Sequence, residues 1–98
     1  NRDESVFAFM RRRLPGEGGT NLLIVFNATP VPRPGYVFGA PSAGRYRKLL
    51  DSDSPAFGGS GYSQQNEADA WNEEFRDFPA RIRIDVPPLA MTVWAGPQ

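Results

Sequence analysis

The residues of this sequence that could carry out chemistry are its carboxylates. Asp51 and Asp53 stand two positions apart, and Glu73 and Glu74 are adjacent. Cleavage of a glycosidic bond with retention of configuration needs two carboxyl groups about 5 to 5.5 Å apart that flank the scissile bond in a cleft. Nothing around either pair indicates a cleft. The sequence therefore predicts no catalytic residue in this chain.

The absence of two residue types excludes other chemistries. The 98 residues include neither histidine nor cysteine, so a serine or threonine nucleophile lacks its usual base and zinc lacks its usual ligands. We expect no metal and no cofactor. Eleven basic and eleven acidic side chains cancel, which argues against nucleic-acid and membrane partners. Without a signal peptide or an apolar run of membrane length, the expected location is the cytoplasm.

The segment 51–66 is the longest predicted loop. Its run Asp51-Ser52-Asp53-Ser54 lacks the third oxygen ligand and the glycine of a calcium loop, so Asx turns are the favoured interpretation. The run Phe57-Gly58-Gly59-Ser60-Gly61-Tyr62 is not followed by Gly-Lys-Ser/Thr and predicts no phosphate site.

Strands must position these residues. The longest apolar run, Asn21 to Ala28, predicts a central strand. Leu23 and Val25 lie on one face of this strand. Leu22, Ile24 and Phe26 lie on the other. Because a strand of a small antiparallel sheet usually shows water on one face, we expect the core to cover one face and a partner to cover the other.

Further strands are predicted at residues 5–13, 36–40, 45–50, 80–86 and 89–95, separated by turn signals. A hairpin connection at 14–20 and a rigid proline-rich connection at 29–35 link the first of them. Alternation places Lys48 on the face of Tyr46 and Leu50, so either a bulge intervenes or the lysine snorkels at an edge. The segment 67–78 predicts either a helical turn or an irregular cover.

About seven short strands predict an all-β fold, an antiparallel β-sandwich of Greek-key type formed by residues 1–98 as one domain. The chain starts at Asn1 without methionine, so we expect a fragment of a larger protein. The expected core consists of Phe7 or Val6 together with Val25, Phe26, Ile82, Ile84, Met91 and Val93.

Four segments, in this order, resemble the C-terminal all-β domain of bacterial 1,4-α-glucan (glycogen) branching enzymes, members of the α-amylase superfamily. The first segment combines Ser5 to Phe9 with Leu23 to Tyr36. The other three are Gly44 to Asp53, Phe57 to Gly61 and Val86 to Ala90. The sequence departs from the family at 64–79, where Phe75-Arg76-Asp77-Phe78-Pro79 replaces a histidine-containing turn.

The resemblance implies a parent enzyme that moves α-1,4-glucan segments to α-1,6 branch points, with its catalytic carboxylates in a barrel outside this chain. It implies that the sandwich packs against that barrel and stabilises it, and Leu22, Ile24 and Phe26 are the candidate docking residues.

Two alternatives remain open. An auxiliary α-glucan-binding module would use exposed aromatic rings, for which the candidates are Phe57, Tyr62, Trp71 and Trp94. The other alternative is the equivalent domain of a related debranching or trehalose-releasing enzyme.

Overall fold

The structure is a computed structural model that describes residues 6–11 and 21–97. These residues form a 3-10 turn at Pro55–Phe57 and seven strands: β1 (Val6–Arg11), β2 (Asn21–Asn27), β3 (Arg33–Ala40), β4 (Gly44–Asp51), β5 (Glu67–Ala70), β6 (Ala80–Val86) and β7 (Ala90–Gly96). The predicted connection 14–20, and positions 5, 12 and 13 of the predicted first strand, lie outside the described residues.

The strands form two antiparallel sheets. The larger sheet has the order β1-β2-β7-β4-β5, and the smaller sheet pairs β3 with β6. The sheets meet on one side, where Trp71, directly after β5, forms a backbone bridge with Arg81 of β6. On the other side, the edge strands β1 and β3 do not pair with each other within the described residues. The fold is an open antiparallel sandwich, which confirms the predicted class.

The core lies between the two sheets. Ile82, Ile84 and Val86 of β6 are almost completely buried, and their alternation with polar residues confirms the predicted orientation of this strand. The larger sheet contributes the facing side chains, among them Val6, Leu23, Val25, Tyr46 and Trp94. Full burial of each aliphatic side chain stabilises the fold by about 1.5–3 kcal/mol.

Part of the predicted core is wrong. Phe26 is 41% exposed, and Met91 and Val93 are only half-buried. All three lie on the face of the larger sheet that points away from the core, because their neighbours Val25 and Trp94 occupy the inner face. Leu89, predicted to belong to the last strand, lies in the turn before β7.

A bulge places Lys48 and Leu50 on opposite faces of β4. The pairing of β4 with β7 shifts register between Lys48 and Leu50, so Lys48 points inward with Tyr46 while Leu50 points outward and is 37% exposed. The bulge, one of the two predicted alternatives, is therefore confirmed.

Two strands occupy segments for which other structure was predicted. Pairing of β3 begins at Arg33, inside the predicted proline-rich connection, and shifts register before Tyr36. The segment 67–78 begins with β5, whose alternation buries Ala68 and Ala70 against the core. The alternative prediction of a helical turn is therefore wrong for residues 67–70.

Candidate functional site

One surface of the larger sheet is mainly apolar and faces away from the core. This outer face is formed by Phe7, Phe9, Leu22, Ile24, Leu50, Phe26, Met91 and Val93. Cross-strand neighbours on one face of a sheet stand side by side. The three predicted docking residues Leu22, Ile24 and Phe26 all lie on this face.

The outer face is arranged in three rows that cross the strands. The first row contains Phe7, Phe26 and Met91, and the second contains Phe9, Ile24, Val93 and Leu50. The third row places exposed Arg11 and Arg47 on either side of Leu22 and Ala95. An apolar centre is therefore bordered by two cations on one side.

The aromatic residues of the outer face are accessible. Phe9 is 60% exposed and Phe7 44% exposed, while the rings of Phe7 and Phe26 stack with centroids 6.5 Å apart. Soluble monomers rarely show a contiguous apolar patch larger than a few hundred Å², and such patches mark interaction sites.

The candidate carboxylate pair Asp51 and Asp53 maintains the structure of the loop. Oδ1 of Asp51 accepts a 2.9 Å hydrogen bond from the backbone N–H of Asp53, which confirms the predicted Asx turn. Oδ2 of Asp51 pairs with the ammonium of Lys48 at 3.1 Å. Both oxygens of Asp51 are thus engaged within the domain.

The carboxylate of Asp53 closes the same loop. It accepts hydrogen bonds from the N–H of Ser60 at 2.9 Å, the hydroxyl of Ser60 at 2.6 Å and the N–H of Tyr62 at 3.2 Å. Burial alone raises the pKa of Asp53, but the hydrogen bonds from Ser60 and Tyr62 outweigh it, so the pKa lies below its ordinary value. The ionised carboxylate of Asp53 therefore holds the 53–62 loop in place.

Two of the predicted glucan-contact residues share this loop. Phe57 is 66% exposed and Tyr62 is 38% exposed. Their backbone is held by Asp53 and by Ser54, whose hydroxyl caps the 3-10 turn. Exposed rings on a fixed backbone can contact the C–H face of a sugar.

Trp71 lies apart from this loop. It follows β5 beside Gly44, at the start of β4, whereas the loop follows Asp51 at the end of β4. Eight residues of strand span roughly 25 Å. The structure therefore does not bring Trp71 together with Phe57 and Tyr62.

The Trp71 ring is part of a polar cluster on the β5–β6 side. The guanidinium of Arg83 lies 5.4 Å from its ring centroid, and its indole N–H donates to Oε1 of Glu73 at 2.7 Å. Arg81 lies 3.6 Å from Glu73 and 5.2 Å from the centroid of Phe75. These contacts brace the junction of the two sheets and cover one face of the Trp71 ring.

The prediction that Trp94 is an exposed sugar contact is wrong. The residue is 0% exposed, and its indole N–H donates to Oγ1 of Thr92 at 2.9 Å. The ammonium of Lys48 lies 5.9 Å from the ring centroid. Trp94 lies on the inner face of β7, between the sheets, where no sugar reaches it.

A cleft opens between the unpaired edges of β1 and β3. Its volume is about 420 Å³, and its lining is mainly apolar, with Val6, Met10, Phe38, Phe75 and Phe78 among the lining residues. Sequence patterns did not reveal this cleft, because it depends on which two edges the fold leaves facing each other.

The described residues contain no group of three or more His, Cys, Asp or Glu side chains that could hold a metal ion. Within the same residues, none of the elements is a helix with the length and apolar character needed to cross a membrane.

Residues 1–96 match a known domain family described as alpha amylase, C-terminal all-beta domain. The chain is 41% identical over 92 residues to the 1,4-alpha-glucan branching enzyme GlgB of Albidiferax ferrireducens, covering 94% of this chain and 14% of that protein. The GlgB of Oceanobacillus iheyensis is 39% identical over 94 residues, covering 96% of this chain and 14% of that protein. The chain thus spans about one seventh of the length of these curated relatives.

Proposed function

Because this chain belongs to the family of alpha-amylase C-terminal all-beta domains, we propose that it is the non-catalytic C-terminal domain of a cytoplasmic 1,4-α-glucan branching enzyme and that it packs against the catalytic barrel. The parent would move α-1,4-glucan segments to α-1,6 branch points. The relatives that carry this domain are named branching enzymes, and most of their length lies outside the matched region.

The exposed outer face is the observation that carries this proposal. Phe9 and Phe26 are 60% and 41% exposed, although they lie in an ordered sheet whose other face already holds the core. Burial of apolar area at about 25 cal/mol per Å² favours covering such a surface. The catalytic part of the same polypeptide is the partner always available, since a covalent link raises its effective concentration.

The rows of the outer face specify the partner surface further. Two apolar rows form the centre, and Arg11 and Arg47 border one side. Interfaces commonly combine an apolar core with a polar rim. We therefore expect the barrel to present apolar side chains to the centre and carboxylates to the two arginines.

Catalysis would be confined to the rest of the parent. The carboxylates of Asp51 and Asp53 are engaged with Lys48 and Ser60, and Glu73 contacts Trp71 and Arg81. Glycosidic cleavage needs two carboxyl groups that flank the scissile bond in a cleft, and the lining of the cleft between β1 and β3 includes no carboxylate among the described residues. The isolated chain should show no branching or hydrolytic activity on amylose.

Hydroxyl-radical footprinting of the 98-residue chain and of the longer protein that contains it tests the docking proposal. We expect Phe9 and Phe26 to react in the short chain and to be strongly protected in the long one. Phe57, which is 66% exposed and lies off the outer face, is the control and should react in both. Equal reactivity of Phe9 in the two proteins would refute docking through this face.

A second candidate function, auxiliary binding of α-glucan, is favoured by the two exposed rings of Phe57 and Tyr62 on their fixed loop. Titration with maltoheptaose, followed by NMR, tests it. Weak binding at the loop would shift the amide signals around Phe57 and Tyr62, and the variant Phe57→Ala would abolish the shifts. If no amide signal shifts at millimolar sugar, glucan binding is refuted and packing against the barrel is the only proposed function that remains.

A further inference from the structure

Leu89 combines three properties that are seldom found together. It is 66% exposed, it has a φ of 47°, and its backbone N–H donates to the carbonyl of Thr29 at 2.7 Å. A left-handed conformation is unfavourable for a side chain such as leucine, and glycine or asparagine adopts it at lower cost. An apolar residue is thus held in a strained conformation and directed away from the core.

The loop around Leu89 is fixed by a buried amide. Asn27 is 0% exposed, and its Nδ2 donates to the carbonyl of Val31 at 2.8 Å and to that of Pro87 at 3.1 Å. Its Oδ1 accepts from the N–H and the hydroxyl of Thr29. The turn that carries Leu89 is therefore joined to the 28–32 loop, where Val31 is 50% exposed.

The position of Leu89 connects it with the outer face. Ala90 pairs with Asn27, and Met91 pairs with Phe26 in the first row of that face. Leu89 therefore stands directly beyond this row, at the border of the proposed docking surface. Strained residues persist where the surrounding structure enforces them, and they cluster at functional contacts.

We propose that Leu89 is an anchor residue that inserts into an apolar pocket on the remainder of the parent polypeptide, with Val31 as its neighbour at the rim. This inference rests on the proposed function, because it takes the occupant to be the same polypeptide that covers the outer face. The backbone at Leu89 is already held by its hydrogen bond to Thr29 and by Asn27, so docking would order only the side chain. Burial of that apolar side chain against the partner would then favour the docked state.

The proposal makes opposite predictions for the domain alone and for the longer protein. Leu89→Asn removes the apolar side chain but suits the left-handed backbone. In the 98-residue chain, we expect the urea midpoint to stay the same or rise. In the longer protein, we expect the variant to weaken docking, so that the reactivity of Phe26 towards hydroxyl radicals rises to the level of the short chain.

Arg76→Asn is the matched control, because Arg76 is the other non-glycine residue with a positive φ, 55°, among the described residues. It lies in the cleft between β1 and β3, away from Phe26, so its substitution should leave the protection of Phe26 in the longer protein unchanged. A lower midpoint for Leu89→Asn in the short chain would indicate an ordinary folding role and overturn the proposal. Protection of Phe26 that survives Leu89→Asn in the longer protein would also overturn it, while leaving docking through the outer face intact.

Self-association is the remaining outcome. If sedimentation shows that the 98-residue chain forms dimers that Leu89→Asn disrupts, the occupant is a second copy, and the proposal of an anchor to the parent polypeptide fails.

Discussion

The ammonium of Lys48 lies 3.1 Å from Oδ2 of Asp51, and both side chains are only 8% exposed. Lys48 alternates with Tyr46 onto the inner face of β4, where it also approaches the Trp94 ring. A charge pair with so little contact with water depends on both partners, because removal of one leaves the other buried and unpaired.

We predict that Lys48→Met destabilises the domain by about 3–5 kcal/mol. The matched control is Arg45→Met on the same strand, whose pair with Asp69 is exposed, with side chains 56% and 71% accessible. An exposed pair contributes little to stability, because water and salt screen it, so Arg45→Met should be much less destabilising than Lys48→Met. Urea unfolding of both variants provides the measurement, and equal losses would contradict a buried role for Lys48.

The carboxylate of Asp53 should make the free energy of unfolding of the domain depend on pH in the acidic range. Because its pKa is lowered in the folded state, its contribution is fully present above the unfolded pKa, about 3.9, and is lost as the pH falls through the lower folded value. We expect wild type to be clearly more stable than Asp53→Asn at pH 7, and the difference between them to shrink below about pH 4. A difference that stays constant from pH 7 to pH 3 would contradict this account.

The two tryptophans should differ in hydrogen exchange. The indole N–H of Trp94 is buried and donates to Thr92, so we expect it to exchange only when the domain unfolds. The indole N–H of Trp71 donates to the exposed Glu73 and should exchange much faster. NMR spectra recorded in D₂O measure both signals, and rapid exchange of Trp94 would contradict its burial.

Sequence patterns predicted the fold where only one face of a strand was apolar. In β6, Ile82 and Ile84 alternate with Arg81 and Arg83, so the inward face followed directly. In β2 and β7 both faces are apolar, and alternation grouped the residues without showing which group faces the core. The inner face of β7 even contains Thr92, a polar residue that is 1% exposed and serves Trp94 as a hydrogen-bond acceptor.

Other features depend on tertiary structure. The strand β5 was missed because its inward residues are Ala68 and Ala70, and alanine is a weak strand former. Gly39 is buried against the Phe78 ring, which a Cβ at residue 39 would strike. The candidate docking residues were correctly grouped on one face because period-two alternation fixes that grouping, whereas the burial of Trp94 required knowledge of the opposite sheet.

The adjacent residues Leu22 and Leu23 provide the most direct test of which face of β2 is internal. Leu23 is 1% exposed and packs in the core, whereas Leu22 is half-buried on the outer face. We predict that Leu23→Ala destabilises the 98-residue chain by about 2–5 kcal/mol, the usual cost of a cavity in a core. Leu22→Ala should cost clearly less than Leu23→Ala, because the Leu22 side chain is only partly buried within the domain and leaves no closed cavity.

The same pair also tests docking. In the longer protein, the cost of Leu22→Ala should increase, since the barrel would then cover its side chain, while the cost of Leu23→Ala should remain the same. Urea unfolding of each variant in both proteins gives the four values needed. A Leu22→Ala cost that equals the Leu23→Ala cost in the short chain would show that the assigned faces of β2 are wrong, and an unchanged cost in the longer protein would contradict docking at Leu22.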